Sequence, residues 1–542
     1  MGDRDRHPPL RFPQRSLNLQ IELDQHCRAA YRLLRALHQP RPALLPPLDG
    51  GSSPAPAGVI RRHRPGLANP RPGRGRCAAP LCGAQWRQHE PRAVLHSMIT
   101  RLRLRARDLV GDPGLRGALV SISVRIAAAF VGLGLQILLA RLMALEDYGI
   151  YVILWTWTSV VGQVGVLGFY DSAARFIPRY GRREKHAHLA GYLATGFRTV
   201  ITGSGLLAAA ALVFLTVLPG LVDPAFLLPL GVLALGFPIL SLESYLTGVC
   251  RGFGWYALST IPGYILRPVL IMLGVGLART GGVPLDAVTV LSIVVLASIA
   301  VLIAQALLLR ARLPKGPRPT TSRERRRFWL LASVLMMPAM TAEELFVWID
   351  VLILGFLVSP DEASLYFAAQ RSLSLAAFVQ YGFMLVAARG FSLSLASADR
   401  AGLQARITRS TNATFWLTIP SVALTLVAGY PLLALFGPAF LAAYPCLALL
   451  GLAYVIRGAT GQAAELLVVQ GRYRLSLLIV SISVAACVLL MLFLVPLCGI
   501  IGAAAAMVLV QLLRLAVVTW LVHRHTGYWV LVRPFTRVAD PS

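Results

Sequence analysis

Charged residues are scarce in this chain of 542 residues: Asp, Glu, Lys and Arg together make up 14%, whereas hydrophobic residues make up 56%. The apolar residues collect in runs of about twenty, and the charges lie in short clusters between them. This pattern excludes a soluble protein of several domains, because such domains need amphipathic helices or alternating strands. The sequence therefore predicts an all-α polytopic membrane protein that has the bilayer as its solvent.

Acidic residues are scarcer still, with 24 Asp and Glu against 52 Lys and Arg, for a net charge of +28. In a soluble protein this excess would indicate a nucleic-acid partner. Here the basic residues lie in the first 110 positions and at the ends of apolar runs, and they do not alternate with aromatic residues as in a base-stacking surface. We therefore predict no nucleic-acid partner and assign the excess to membrane orientation.

Cysteines are few, and motifs for metals and nucleotides are missing from the sequence. Of the seven cysteines, Cys77 and Cys82 form a lone C-x4-C without the second pair that a zinc site needs. The Gly-x4-Gly-Lys-Ser/Thr motif of a phosphate-binding loop is also absent. We expect no metal, no cofactor and no nucleotide hydrolysis.

The chain divides into an extension, two hydrophobic halves and a tail. Residues 1–97 are rich in Arg and Pro, which predicts disorder, and a basic lead-in at Met98 predicts that translation naturally starts there. The predicted units after it are an N-terminal six-helix bundle at 115–310, a basic cytoplasmic linker at 311–327, a C-terminal six-helix bundle at 328–525 and a cytoplasmic tail at 526–542.

About twelve apolar runs are long enough to cross a hydrocarbon core of roughly 30 Å. They lie at about 118–141, 149–170, 193–218, 225–249, 256–278, 284–309, 328–357, 364–388, 411–434, 439–468, 474–497 and 500–522. The loops on one side carry the basic residues, whereas those on the other side carry acids or no charge apart from Arg279 and a boundary Arg141. Because Lys and Arg favour the cytoplasmic side, we predict an inner-membrane protein with both termini in the cytoplasm.

One acidic turn occurs twice. The stretch "LLARLMALEDYGIYVILWTW" at 138–157 has a counterpart in "LILGFLVSPDEASLYFAAQ" at 352–370, and an offset of 215 residues sets Glu146-Asp147 on Asp361-Glu362. We interpret Tyr148-Gly149 as the point of chain reversal, where a flexible Gly permits the turn. Acidic outer turns can also recur by chance in polytopic proteins.

The basic loop at 310–327 separates six runs from six, and the two turns occupy equivalent places in the halves. Two short Gly-Arg turns, "GVCRGFGWY" and "VVQGRYRLS", follow the fourth and tenth runs. Since each half has an even number of runs, the copies enter the membrane in the same direction. The sequence predicts two parallel six-helix repeats around a central cavity, which is an architecture of transporters.

Several motifs in order resemble a known family. They are "LLARLMALEDYGIYV", "ARFIPRYGR", "WIDVLILGFLVSPDEASLYFAAQRSLSL", "LFGPAFLAAYPCLALLGLAYVIRG" and "LVPLCGIIGAAAAMVLVQLLRL". Together they cover roughly 115–525 and resemble the bacterial oligosaccharide-lipid flippases of O-antigen and polysaccharide biosynthesis, in the multidrug/oligosaccharidyl-lipid/polysaccharide exporter superfamily. The resemblance implies movement of a polyprenyl-diphosphate-linked sugar between leaflets by alternating access. It also implies a lipid-linked oligosaccharide as the cargo and other polysaccharide-assembly proteins as partners.

A diphosphate cargo needs cationic groups in the cavity, and charges inside apolar spans are costly enough to be rarely idle. The candidate substrate-binding residues are Arg125, Arg267, Arg371 and Arg457. Arg267 could instead form a structural ion pair, and Arg371 could serve helix packing. Arg125 and Arg457 lie near the cytoplasmic face and could extend toward it.

Three carboxylates in the seventh run are candidates for coupling transport to a proton or sodium gradient: Asp350, Glu343 and Glu344. Glu343 and Asp350 are two turns apart and share a helix face. The alternative is a salt bridge to a cavity arginine. At the inner ends of the fourth and tenth runs, we expect Glu243 to pair with Arg251, and Glu465 to pair with Arg472.

Two other functions remain open. A multidrug/cation antiporter of the same superfamily would share the helix count, although four intramembrane arginines favour an anionic cargo. A membrane glycan polymerase or ligase would need acid-base groups in a sizeable outer loop, whereas every predicted outer loop is short and no histidine lies on that side. We therefore predict a transporter rather than an enzyme, with no catalytic residue.

Overall fold

The computed structural model describes residues 113–180, 186–313, 322–396 and 399–533, and it is helical throughout, with no strand in these ranges. The helices of the first half are α1 (Pro113–Leu142), α2 (Leu145–Gly165), α3 (Phe169–Tyr180), α4 (His186–Val217), α5 (Pro224–Gly252), α6 (Tyr256–Ile261), α7 (Arg267–Thr280) and α8 (Ala287–Arg312). The helices of the second half are α9 (Arg323–Leu357), α10 (Pro360–Ser372), α11 (Ser374–Ala396), α12 (Arg400–Val427), α13 (Gly429–Phe436), α14 (Tyr444–Gly458), α15 (Ala463–Val469) and α16 (Tyr473–Thr526). Short 3₁₀ or π-helical segments join α4 to α5, α6 to α7 and α13 to α14.

These helices confirm the predicted fold class. Within the described residues, seven helical stretches are long and apolar enough to cross a membrane, and nine are if two bent pairs count as one span each. The bent pairs are α2 with α3, at 44°, and α12 with α13, at 58°. The protein is therefore a multi-pass membrane protein, and the count of twelve spans stays a prediction.

The last helix, α16, is a hairpin of two helices. Its 54 residues would measure about 80 Å if straight, more than twice the thickness of a hydrocarbon core. Gly499 has φ 56° and ψ −139°, outside the helical region, and Cys487 lies 3.7 Å from Met507 (Sγ to Sδ) across the bend. The helix therefore folds back at the boundary that the sequence predicted between its last two spans.

The acidic turn corrects one interpretation of the sequence. The chain reverses at Met143 and Ala144, and Gly149 lies inside α2, fully helical and buried. A side-chain Cβ at Gly149 would collide with the backbone of Pro360 at the start of α10. The role of this glycine is thus close packing of the two copies of the motif against each other, because no larger residue fits there.

The repeat extends to turns that carry a positive φ. Gly254 (φ 76°) ends α5 and Gly471 (φ 72°) ends α15, at an offset of 217 residues. The same offset relates Gly282 (φ 71°), after α7, to Gly499 (φ 56°). Glycine populates these left-handed conformations without steric cost, so the halves share turn geometry as well as helix order.

The largest core is built from both halves. Tyr148 and Tyr151 of α2 pack with Tyr366 and Phe367 of α10, and each is at most 2% exposed. Many other apolar side chains point outward, among them Leu206 and Val427 at 72% and 82% exposure. Outward apolar surface of this kind matches a bilayer as the solvent.

Three predicted segments lie wholly or partly outside the described residues: the extension at 1–97, positions 314–321 of the linker, and positions 534–542 of the tail. The described start of the tail lies against α12. Gln404 exchanges hydrogen bonds with the backbone of Trp529, and Asn412 does the same with Arg533.

Candidate functional site

The site begins with a cavity of about 180 Å³ inside the second half, between α9, α10, α11, α14 and α16. Its lining includes Trp348, Asp350, Gln370, Arg371, Arg457 and Gln511. Three of the residues predicted from the sequence therefore meet here: two cations and one carboxylate. Arg125 and Arg267 do not line this cavity.

Arg371 packs on two aromatic rings, and the Asp350 carboxylate is near enough to attract it without forming an ion pair. Its Cζ lies 4.7 Å from the ring centre of Trp348 and 4.6 Å from that of Phe367. No described residue forms an ion pair or hydrogen bond with its guanidinium group. The two rings hold the charge by cation–π attraction, which is stronger away from water, and leave its hydrogen-bond donors for another partner.

Asp350 is fully buried on α9 and bonded to α10. Its Oδ2 accepts hydrogen bonds from the Tyr366 hydroxyl at 2.8 Å and from the Gln370 amide at 2.9 Å, and its Oδ1 accepts one from the Val351 backbone N–H at 2.9 Å. A buried carboxylate is stable only when its oxygens are satisfied in this way. These bonds fix the carboxylate at the wall of the cavity.

The three carboxylates of α9 do not form one site. Glu343 lies 3.7 Å from Arg514 on α16, and Glu344 accepts a hydrogen bond from the Trp348 indole at 2.8 Å. In the part of the chain that the structure describes, no group of three or more His, Cys, Asp or Glu could hold a metal ion. The ion-coupling role of Asp350, Glu343 and Glu344 stays a prediction.

In the first half, Arg267 is paired. Its Nη1 lies 3.2 Å from Oε2 of Glu243 on α5, and its Cζ lies 5.1 Å from the Trp155 ring centre. The expected pair between Glu243 and Arg251 is therefore wrong, because Arg251 bonds the Tyr170 hydroxyl instead. The α5 carboxylate therefore lies beside the middle of the following span, Tyr256–Thr280, where Arg267 lies.

No ion pair joins Glu465 to Arg472 among the described residues. Arg125 on α1 lies 6.0 Å from the ring centre of Tyr264, at the outer limit of a cation–π contact. The cavity roles of Arg125 and Arg267 stay predictions.

Tyr151 lies near one arginine of each half. This buried residue of α2 is close enough to both Arg267 and Arg371 to interact with them electrostatically. Cationic groups from the two repeats thus approach the same region of the core. Of the four predicted substrate residues, Arg267 and Arg371 approach Tyr151, and of these two only Arg371 lines the described cavity.

Sequence reasoning missed Arg514, a largely buried cation. It lies within a predicted span and inside the motif "LVPLCGIIGAAAAMVLVQLLRL". Its Cζ is 4.5 Å from the Phe346 ring centre, and its side chain is 15% exposed. The rule that selected the other four arginines, a charge inside an apolar run, would have found it.

Residues 115–379 match the family described as "Polysaccharide biosynthesis protein". No protein of curated function matches the sequence. Many solved structures share its fold at low identity. The lipid II flippase MurJ in an inward closed conformation has a TM-score of 0.61 at 15% identity, covering 74% of this chain and 87% of MurJ. An inward-facing multidrug resistance MATE family transporter of the MOP superfamily has 0.60 at 13%, covering 74% and 96%.

The third structure is a MOP superfamily transporter from Pyrococcus furiosus, with a TM-score of 0.54 at 14% identity and coverage of 76% of this chain and 95% of the other. Identities this low establish the fold alone. The family match supplies the biological context that the fold lacks. Residues 115–379 therefore resemble the polysaccharide biosynthesis protein family, and the chain has the fold of the MurJ and MATE structures.

Proposed function

We propose that the protein moves a polyprenyl-diphosphate-linked oligosaccharide from the inner to the outer leaflet of the inner membrane, for cell-surface polysaccharide biosynthesis. The observation that carries the proposal is Arg371, which lines the cavity on two aromatic rings and forms no ion pair with any described residue, although the Asp350 carboxylate lies nearby. A cation in that position is costly unless an anion occupies the cavity for part of the cycle. The diphosphate of the cargo is such an anion, and its oxygens suit the guanidinium fork.

The Trp348 ring and two amides of the cavity suit the sugar part of the cargo. Trp348 stacks on Arg371 and its indole N–H bonds Glu344, so both polar and apolar parts of the ring are held in place. Gln370 and Gln511 supply amides within reach of hydroxyl groups in the same cavity. We expect transport without catalysis, by alternating access.

A reconstituted assay tests the proposal. The full chain in liposomes is given a fluorescent polyprenyl-diphosphate oligosaccharide, and exposure of the sugar is followed with a membrane-impermeant glycosidase. We expect Arg371→Gln to reduce the initial rate by on the order of tenfold to a hundredfold, as for loss of one charge-assisted contact of about 1.5–3 kcal/mol. Arg472→Gln, which removes an exposed arginine in a turn, is the matched control and should leave the rate unchanged.

The same liposomes separate the remaining proposals. Imposed proton and sodium gradients, each dissipated by an ionophore, identify which ion, if either, drives the rate. Multidrug/cation antiport is the second candidate, and the observation in its favour is the Asp350 carboxylate at the cavity wall, which would attract a cationic drug. Export of a cationic dye without any glycan movement would establish that candidate and reject ours.

A further inference from the structure

Three charged groups lie near the second-half cavity: Glu343 on α9 and Arg514 on α16, which pair with each other, and Arg457 on α14, which lines the cavity. Seven residues of α9 separate Glu343 from Asp350, which places Glu343 about 10 Å nearer the basic end of the helix. Gln511, one turn before Arg514, lines the same cavity, as does Arg457. The group therefore stands between the basic loops and Arg371.

The ion pair in this group is loose. Nη2 of Arg514 lies 3.7 Å from Oε2 of Glu343, beyond the roughly 2.7–2.9 Å of a charge-assisted hydrogen bond. The Glu343 side chain is also 37% exposed. What holds Arg514 more firmly is the Phe346 ring, 4.5 Å from its Cζ. A partner of higher charge could displace the carboxylate without moving the arginine.

The local charge favours an anion. Arg457 forms no ion pair with any described residue, and it lies close enough to Arg514 for the two cations to repel each other. Glu465 lies close enough to Glu343 for the two carboxylates to repel each other, and close enough to Arg251 for the two to attract. The opposite charges of Glu465 and Arg251 offset one another. The group itself therefore holds two cations against one carboxylate.

We propose that Arg514 and Arg457 form a second anion site, which receives the diphosphate of the cargo before it reaches Arg371, and that Glu343 is the internal counter-ion displaced by it. This inference rests on the proposed function for the identity of the cargo. Two guanidinium groups match a diphosphate in charge and in hydrogen-bond geometry. A carboxylate that occupies one of them in the empty protein lowers the cost of keeping a cation inside the membrane.

Binding of sodium pyrophosphate to the purified full-length protein tests the site, with orthophosphate as the probe that lacks the second phosphate. Glu343→Gln removes the competing carboxylate and should tighten pyrophosphate binding by about tenfold, whereas Arg514→Gln should weaken it by about tenfold. Arg514→Lys keeps the charge but not the fork and should give an intermediate value. Glu362→Gln, an exposed acid at the opposite end of α9 and α10, is the control and should not change it.

The direction in which Glu343→Gln changes the affinity for pyrophosphate decides between an anion site and a purely structural ion pair. A purely structural ion pair predicts unchanged or weaker binding, and either result rejects the site, as does equal affinity for orthophosphate and pyrophosphate in the wild-type protein. Glu343→Gln and Arg514→Lys keep the test decisive even where Arg514→Gln does not fold. Tighter pyrophosphate binding by Glu343→Gln, together with no glycan flipping by the wild-type protein, would support the anion site and reject the proposed cargo. Glycan flipping by the wild-type protein without tighter binding by Glu343→Gln would support the cargo and reject the anion site.

Discussion

The two halves of the molecule share their turns but differ in their interior charges. At the offset of 215 residues, Tyr366 corresponds to Tyr151, and both are buried. Arg371, however, corresponds to Thr156, and Asp350 corresponds to Leu135. A duplicated backbone therefore supports a second half whose cavity is ionic at positions where the first half is neutral.

The two halves also differ in what stabilises their interior arginines. Arg267 is neutralised by Glu243, which is only 4% exposed, whereas Arg371 rests on two aromatic rings. A buried ion pair contributes little net stability but is expensive to break. Replacement of an arginine that packs only on aromatic rings should cost less stability, and its hydrogen-bond donors remain available to a ligand. If the proposed function holds, the first half uses the charge of Arg267 for structure, and the second half keeps that of Arg371 for the cargo.

The sharpest test of this contrast compares Arg267→Gln with Arg371→Gln in stability. Arg267→Gln leaves Glu243 buried without its cation, and we expect a loss of about 3–5 kcal/mol of unfolding free energy. Arg371→Gln should cost about 0.5–2 kcal/mol, the range of a cation–π contact. Unfolding in mixed micelles measures both.

The double variant Arg267→Gln with Glu243→Gln is the control for this comparison, and it should recover most of the loss because neither charge is left alone. If Arg371→Gln proves the more destabilising of the two single variants, the assignment of structure to one half and cargo to the other is wrong.

Sequence reasoning could predict the fold because its signals are additive over many residues. Apolar runs, loop charges and the doubled acidic motif each depend on composition along one stretch. The bends at Gly168 and between α12 and α13 were missed, since the apolar pattern continues through both. Gly168 carries φ 74° and follows Leu167 at φ 51°, and nothing in the surrounding composition distinguishes a kink from a straight span.

The site was harder to predict, because it depends on which helix faces which. The sequence identifies Arg267 as a costly charge and places Glu243 near the inner end of its run, but it cannot show that α5 and α7 bring them within 3.2 Å. Asp350 was chosen for its position in an apolar run, whereas its partners Tyr366 and Gln370 lie on a helix that only packing brings close. Pairings of this kind depend on tertiary contacts, which a single sequence does not encode as a local pattern.

Contact between the two copies of the acidic motif provides a second test, with an intermediate effect. Gly149→Ala adds a methyl group against the Pro360 backbone, which cannot move as a side chain would, so we expect a loss of about 1–3 kcal/mol as for overpacking. Thermal unfolding measures this, and transport should slow because the halves can no longer meet closely. Gly162→Ala lies on the same helix in open space and should be neutral or slightly stabilising. Equal behaviour of the two variants would contradict the close approach.

The smallest expected effect concerns the turns that the halves share. In each turn the glycine N–H donates to a carbonyl three residues earlier, Gly254 to Arg251 and Gly471 to Val468, both at 3.0 Å. Because φ is 76° and 72° at these glycines, Gly254→Ala and Gly471→Ala should each cost about 1 kcal/mol. Thermal unfolding should show shifts of the same size for both, and Gly220→Ala, at a glycine without positive φ, should show none. Clearly unequal shifts would mean that the repeats diverged in their turns as well as in their charges, and the contrast between the halves would then reach beyond the cavity.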